Sequence, residues 1–193
     1  MRIILASSSP RRKELLSLMG IKDFEIITPK KDEDMTVKMS INKLSEILSK
    51  QKAQEVFDST SGDRLVIGSD CMVSFEGKKL GKPHDRLDAY NMLSSLSGKW
   101  HNVVTGLCVM VQDGDRQTTY LTHSVTRVKF KKLSSDGINA YLDTNEYKDK
   151  AGAYAIQGTS GMFVEKIIGN MSTVIGLPTN KLYDIFIKEN LLK

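Results

Sequence analysis

Ile3-Ile4-Leu5-Ala6-Ser7-Ser8-Ser9-Pro10-Arg11-Arg12-Lys13-Glu14-Leu15-Leu16 is the stretch that decides the fold. An apolar run that stops at three serines reads as a short buried strand over residues 2–5. Ser9 followed by Pro10 then supplies a helix N-cap and a proline at the first helical position, where its missing N–H costs nothing. Leu15, Leu18 and Met19 fall on one face of that helix and Gly20 ends it. A strand feeding a helix through a tight polar turn is the opening of an α/β unit.

The rest of the chain continues the alternation. Ile41, Leu44, Leu48 and Val56 recur at helical spacing, predicting a helix over 40–57. Arg64-Leu65-Val66-Ile67-Gly68-Ser69 reads as a core strand that delivers Asp70 at its end, with 71–75 extended up to a turn at Glu76-Gly77. A helix over 85–96 stops at Gly98. Two long alternating segments, 100–111 and 116–130, flank Asp113-Gly114-Asp115 and predict an antiparallel hairpin. A short helix is expected over 135–143, short strands and turns over the glycine-rich 152–176, and a terminal helix after Pro178. No linker or low-complexity stretch divides the 193 residues, so one α/β domain over 1–193 is expected.

Composition sets outer limits. Hydrophobic residues make up 40% and charged residues 26%, ordinary values for a globular chain and unlike a disordered or collagenous one. No apolar run approaches the roughly 20 residues of a membrane span, and the amino terminus lacks the apolar core of a secretory signal. Two cysteines, Cys71 and Cys108, without CxxC spacing, point to reduced thiols and a cytoplasmic protein. The net charge of +5 favours anionic ligands, although a lysine-rich surface that serves solubility accounts for it equally.

Several residues stand out chemically. Arg11, Arg12 and Lys13 crowd a helix N-terminus, where the dipole prefers acidic residues. A bound anion would resolve the conflict by meeting backbone N–H groups, serine hydroxyls and two guanidinium forks together; a solvated basic cluster is the plainer reading of the same residues. Asp70, after its apolar strand, stands where open α/β sheets place ligands, or is an ordinary strand-end aspartate. Asp32-Glu33-Asp34 offers hard oxygen donors suited to Mg²⁺, or simply an acidic loop. Lys82, in Leu80-Gly81-Lys82-Pro83, and Lys52, late in the second helix, can each offset phosphate charge, or decorate the surface. Within Asp149-Lys150-Ala151-Gly152-Ala153-Tyr154-Ala155-Ile156-Gln157-Gly158, small residues permit close approach of a flat ligand, and the Gln157 amide can read a base edge. The P-loop, dinucleotide-binding, zincin and nucleophile-elbow motifs are absent. His84, His101 and His123 have no ligand spacing and receive no role.

Taken in order, the segments 5–16, 67–70, 81–83, 96–98, 149–158 and 176–178 resemble the Maf family, and they span nearly the whole chain. The resemblance implies an α/β fold like that of the inosine triphosphate pyrophosphatases, a central mixed sheet flanked by helices with a cleft between two lobes. It also implies a cytoplasmic, homodimeric nucleoside triphosphate pyrophosphatase that uses Mg²⁺ or Mn²⁺. Cleavage between the α and β phosphates would give a monophosphate and pyrophosphate, serving to clear modified nucleotides. By position, Asp70 matches the family's proton acceptor and Glu33 the acidic loop residue implicated in metal or water binding, so that Asp70 and Glu33 are the catalytic carboxylates and metal ligands the resemblance implies. Ser7, Arg11 and Arg12 match the phosphate-binding segment, and Lys52 and Lys82 match lysines near the triphosphate. Arg11 and Gln157 resemble the branch acting on dTTP and UTP, with CTP and modified pyrimidine nucleotides as extensions. Cys71 departs from that branch's threonine, at a position expected to touch substrate, and Met35-Thr36-Val37-Lys38-Met39 lacks the usual proline and acidic pattern. Two other readings stand beside this one: a 7-methyl-GTP pyrophosphatase, and a nucleotide- or nucleic-acid-binding regulator of division and septum formation without turnover. Against nucleic acid, no stacking aromatics interleave with the basic run.

Overall fold

The computed structural model describes residues 1–30 and 39–191. In chain order it contains β1 (Arg2–Leu5), α1 (Pro10–Leu18), β2 (Glu25–Ile26), α2 (Ile41–Asp58), β3 (Arg64–Phe75), β4 (Lys78–Leu80), α3 (Arg86–Leu96), β5 (Trp100–Asp113), β6 (Arg116–Phe130), α4 (Ser135–Asp143), β7 (Val164–Ile168), α5 (Met171–Ile175) and α6 (Thr179–Lys188). Short 3-10 turns at Ala151–Ala153 and Thr159–Phe163 interrupt the glycine-rich stretch. The strands form one mixed sheet in the order β2-β1-β3-β5-β6-β7, with β4 also paired to β3. β1 runs parallel to β2 and β3, while β4 and β7 are antiparallel to β3 and β6 respectively. This is the α/β class expected from the alternation, with helices covering a mixed sheet.

Local chemistry explains the helix starts. Pro10 opens α1, and Ser40, Asp85 and Ser134 each accept a hydrogen bond from the backbone N–H three residues on, satisfying donors that have no intrahelical partner. One expectation shifts: Asp70 does not close its strand. β3 continues unbroken to Phe75, because 71–75 lacks glycine or proline and keeps residues such as Met72, Val73 and Phe75 buried.

The chain folds into two compact units. The first comprises Met1–Asp70, Thr105–Ser124 and Gly176–Lys193. Ile4, Ala6, Val66, Cys108 and Met110 from the strands pack there against Ala53, Val56 and Phe57 of α2. Two strand glycines let α2 lie directly on the sheet backbone: a Cβ at Gly68 would stand 2.3 Å from the Ser49 carbonyl oxygen, and one at Gly106 would stand 2.0 Å from that of Ser45. The second unit comprises Cys71–Val104 and Val125–Ile175. Its core joins Ala89, Leu93 and Leu96 of α3 to an aromatic group of Phe130, Tyr141, Tyr154 and Phe163. His101 is buried among these rings, edge-on to Phe130 and Tyr154, with its Nε2 2.8 Å from the Tyr154 hydroxyl.

Candidate active site

In the first unit, parallel pairing of β1 with β3 brings Leu5 beside Ile67, and the Ala6 N–H donates to the Ile67 carbonyl at 2.8 Å. The strand end therefore carries Ser7 towards the Gly68–Asp70 segment. Ser7 is buried, and its Oγ accepts from Arg12 Nη1 at 2.9 Å and from the Ser9 N–H at 3.2 Å. Arg12 also donates through Nε to the Gly176 carbonyl at 2.8 Å. That carbonyl accepts a second bond, from Ser69 Oγ at 2.9 Å, and Ser69 Oγ lies equally close to the Gly106 carbonyl. Gly176 thus ties the basic first turn of α1 to the residue before Asp70. Arg11 is half-buried in that same turn, which holds no acidic residue.

Lys52 and Asp70 meet directly. Lys52 Nζ donates to Asp70 Oδ1 at 2.5 Å, with the two side chains 17% and 8% exposed. They are 18 residues apart in sequence, and the contact exists because Gly68 admits the backbone of α2: the same missing Cβ would stand 2.8 Å from the Ala53 nitrogen, one residue beyond Lys52. A largely buried carboxylate gripped at one oxygen by an ammonium is held in a fixed orientation. Glu33, the other acidic candidate, lies outside the described residues.

In the second unit, the Gly152 N–H donates to the Gly81 carbonyl at 2.9 Å, and Lys82 Nζ lies 3.9 Å from Asp149 Oδ1 with both side chains well exposed. The Gly81–Lys82 turn and the 149–158 segment are therefore neighbours. Gly152 is required there, since it takes φ 68° and a Cβ would stand 3.1 Å from Val73. Gln157 is exposed within this segment. Cys71 is half-buried, its Sγ 3.8 Å from the Thr173 carbonyl.

The structure thus brings Ser7 to Arg12 and Lys52 to Asp70 in one unit, and Lys82 to the Gln157-bearing segment in the other. Sequence reasoning missed Ser69 and Gly176, which act through a carbonyl that no motif reveals. A glycine inside the apolar run 65–69 was the available signal for close backbone approach at Gly68.

A family model described as Maf-like protein matches residues 2–189. The chain belongs to the Maf family. It is 45% identical over 192 residues to a dTTP/UTP pyrophosphatase of Aquifex aeolicus (strain VF5), covering 100% of this chain and 97% of that protein. It is 47% identical over 189 residues to a dTTP/UTP pyrophosphatase of Clostridium novyi (strain NT), covering 96% of each. Among solved structures, a HAM1 protein from Coxiella burnetii aligns over 97% of this chain and 99% of its own with a TM-score of 0.50. At 13% identity that likeness concerns the fold alone. The Maf assignment agrees with the residues described above, since the segments that first suggested it include those that supply Ser7, Arg12, Asp70, Lys82 and Gln157. Among the described residues, no helix is long and apolar enough to cross a membrane.

Proposed function

We propose that this Maf protein is a nucleoside triphosphate pyrophosphatase that hydrolyses dTTP and UTP to the monophosphate and pyrophosphate. The 2.5 Å grip of Lys52 on Asp70 carries the reading, because it fixes a largely buried carboxylate in a unit that also presents a basic helix N-terminus. Relatives bearing the dTTP/UTP pyrophosphatase name at 45–47% identity across nearly their full length support the substrate class.

In this proposal Asp70 accepts a proton from the attacking water as the oxygen bonds to the α phosphorus. The bond from that phosphorus to the bridging oxygen breaks, and pyrophosphate leaves. Such a reaction asks of the protein mainly positioning and charge offset. Arg11 and Arg12 supply positive charge at the α1 N-terminus, where Ser7 orients Arg12, while Lys52 and Lys82 offset phosphate charge. Gln157 addresses the base through its amide, and Cys71 lies next to Asp70 in the chain as a substrate contact. A thiol is a weaker hydrogen-bond partner than a hydroxyl, which relaxes discrimination at that position and admits CTP or modified pyrimidines.

The donor chemistry suits a hard divalent ion. No group of three His, Cys, Asp or Glu side chains gathers among the described residues, and Mg²⁺ is ordinarily held by one or two carboxylates together with substrate phosphates and water. Asp70, with Glu33, would hold Mg²⁺ or Mn²⁺, which when bound supplies Lewis-acid offset of phosphate charge. A cytoplasmic, homodimeric protein that clears modified nucleotides completes the proposal.

The test incubates purified protein and Mg²⁺ separately with dTTP, UTP, CTP, GTP and 7-methyl-GTP and identifies products by chromatography. Monophosphate and pyrophosphate from dTTP and UTP are expected. Preferential turnover of 7-methyl-GTP would reassign the substrate, and binding without turnover of any nucleotide would overturn the enzymatic reading.

A further inference from the structure

Gln157 sits in a loop closed by an unusual density of short contacts. Ser160 Oγ accepts from the Ala155 N–H and donates to the Ala155 carbonyl, both at 3.0 Å, and the Gly158 N–H reaches the same carbonyl at 2.9 Å. A Cβ at Gly161 would stand 2.5 Å from the Ile156 carbonyl oxygen, so the neck closes only with glycine there. Glu146, from outside the loop, latches it. Glu146 follows α4 through a turn in which Asn145 takes φ 60° and Thr144 Oγ1 accepts the Glu146 N–H at 3.2 Å. Its carboxylate accepts from Thr159 twice, from Oγ1 to Oε1 at 2.5 Å and from the N–H to Oε2 at 2.8 Å. Oε2 also occupies the space a Cβ at Gly158 would need, 2.3 Å away. Hydrogen bonds from the Thr159 side chain and backbone hold the Glu146 carboxyl below the usual carboxylate range.

We propose that Glu146 is a positioning residue for base selection, latching the 155–161 loop so that the Gln157 amide is held at a fixed place. The inference rests on the role given to Gln157 above. A glutamine amide carries a donor and an acceptor side by side. Thymine presents an acceptor at O4 where cytosine presents a donor at N4, and the strength of either hydrogen bond depends on how far the amide stands from that position, which a loose loop leaves adjustable to each base. Discrimination therefore requires that the backbone beneath the amide be held, and one carboxylate on Thr159 does this.

The test measures kcat and KM for dTTP and dCTP in wild type, Glu146→Ala, Glu146→Gln and Thr159→Val, alongside thermal melts. Losing a charge-assisted latch should lower the dTTP:dCTP ratio of kcat/KM in Glu146→Ala by about tenfold, mostly through KM for dTTP, with kcat within about threefold of wild type. Glu146→Gln keeps an oxygen and an N–H towards Thr159 and should restore most of the ratio. Thr159→Val keeps the backbone bond alone and should fall between; it carries the test if Glu146→Ala does not fold. An unchanged ratio overturns the inference, as does an equal loss on both nucleotides that tracks the melting temperature. Wild type inactive on both nucleotides overturns the proposed function itself, and the inference with it; active wild type with an unchanged ratio in the variants overturns the inference alone.

Discussion

Asp70→Asn separates chemistry from architecture. Asparagine keeps an oxygen for Lys52 Nζ, now 2.5 Å from Asp70 Oδ1, but removes the charge and the ability to accept a proton. A hydrogen bond to a charged partner contributes about 1.5–3 kcal/mol and a neutral one about 0.5–1.5, so the structural loss should be about 1–2 kcal/mol. For a chain of 193 residues each kcal/mol moves Tm by about 2–4 °C, so a fall of about 2–8 °C is expected and the protein stays folded at 25 °C. A positioned general base contributes about 10²–10⁴-fold to rate, or roughly 3–5 kcal/mol of barrier. The catalytic effect should therefore far exceed the structural one. Pyrophosphate release from dTTP at 25 °C, with Tm followed by calorimetry, gives both numbers on the same sample. Turnover within threefold of wild type, with Tm lowered as calculated, would refute the assignment of Asp70 as base.

Two further predictions concern the scaffold. Gly106→Ala drives a methyl to 2.0 Å from the Ser45 carbonyl oxygen, and since a helix backbone cannot yield as a side chain can, about 3 kcal/mol or more should be lost in chemical denaturation. His101 is 2% exposed and burial lowers its pKa from 6.5 to about 4; the unfolded chain takes up the proton first on acidification. Stability should accordingly fall by about 3 kcal/mol between pH 6.5 and pH 4 on this account, and denaturation midpoints of His101→Gln should show a shallower slope over that window.

The sequence made the scaffold legible wherever a local rule operated. Pro10 after Ser9 located α1, the spacing from Ile41 to Val56 located α2 within a residue at each end, and Asp113-Gly114-Asp115 located the β5–β6 hairpin. Family segments include Ser7, Arg12 and Asp70, whose side chains the structure joins in short hydrogen bonds, Arg12 to Ser7 and Lys52 to Asp70. What escaped were relations between distant residues. The Lys52–Asp70 contact depends on a missing Cβ at Gly68, which lets α2 lie on the strand backbone. His101, given no role from spacing, proves to be a buried partner of Tyr154 whose Nδ1 has no hydrogen-bond partner among the described residues, and Glu146 stands in a stretch without a motif. Each of these depends on tertiary proximity, which periodicity does not encode.

The Gly176 carbonyl, which receives both Ser69 and Arg12, comes late in the chain, at the start of the last segment of the first unit. During synthesis on a ribosome, residues 1–70 emerge long before it does. Ser69 and Arg12 must wait, hydrated or wrongly bonded, until more than a hundred further residues have been translated. The basic turn of α1 therefore reaches its final geometry only near the end of translation, so a nascent chain stalled before Gly176 would present this basic segment without the acceptor that orders it.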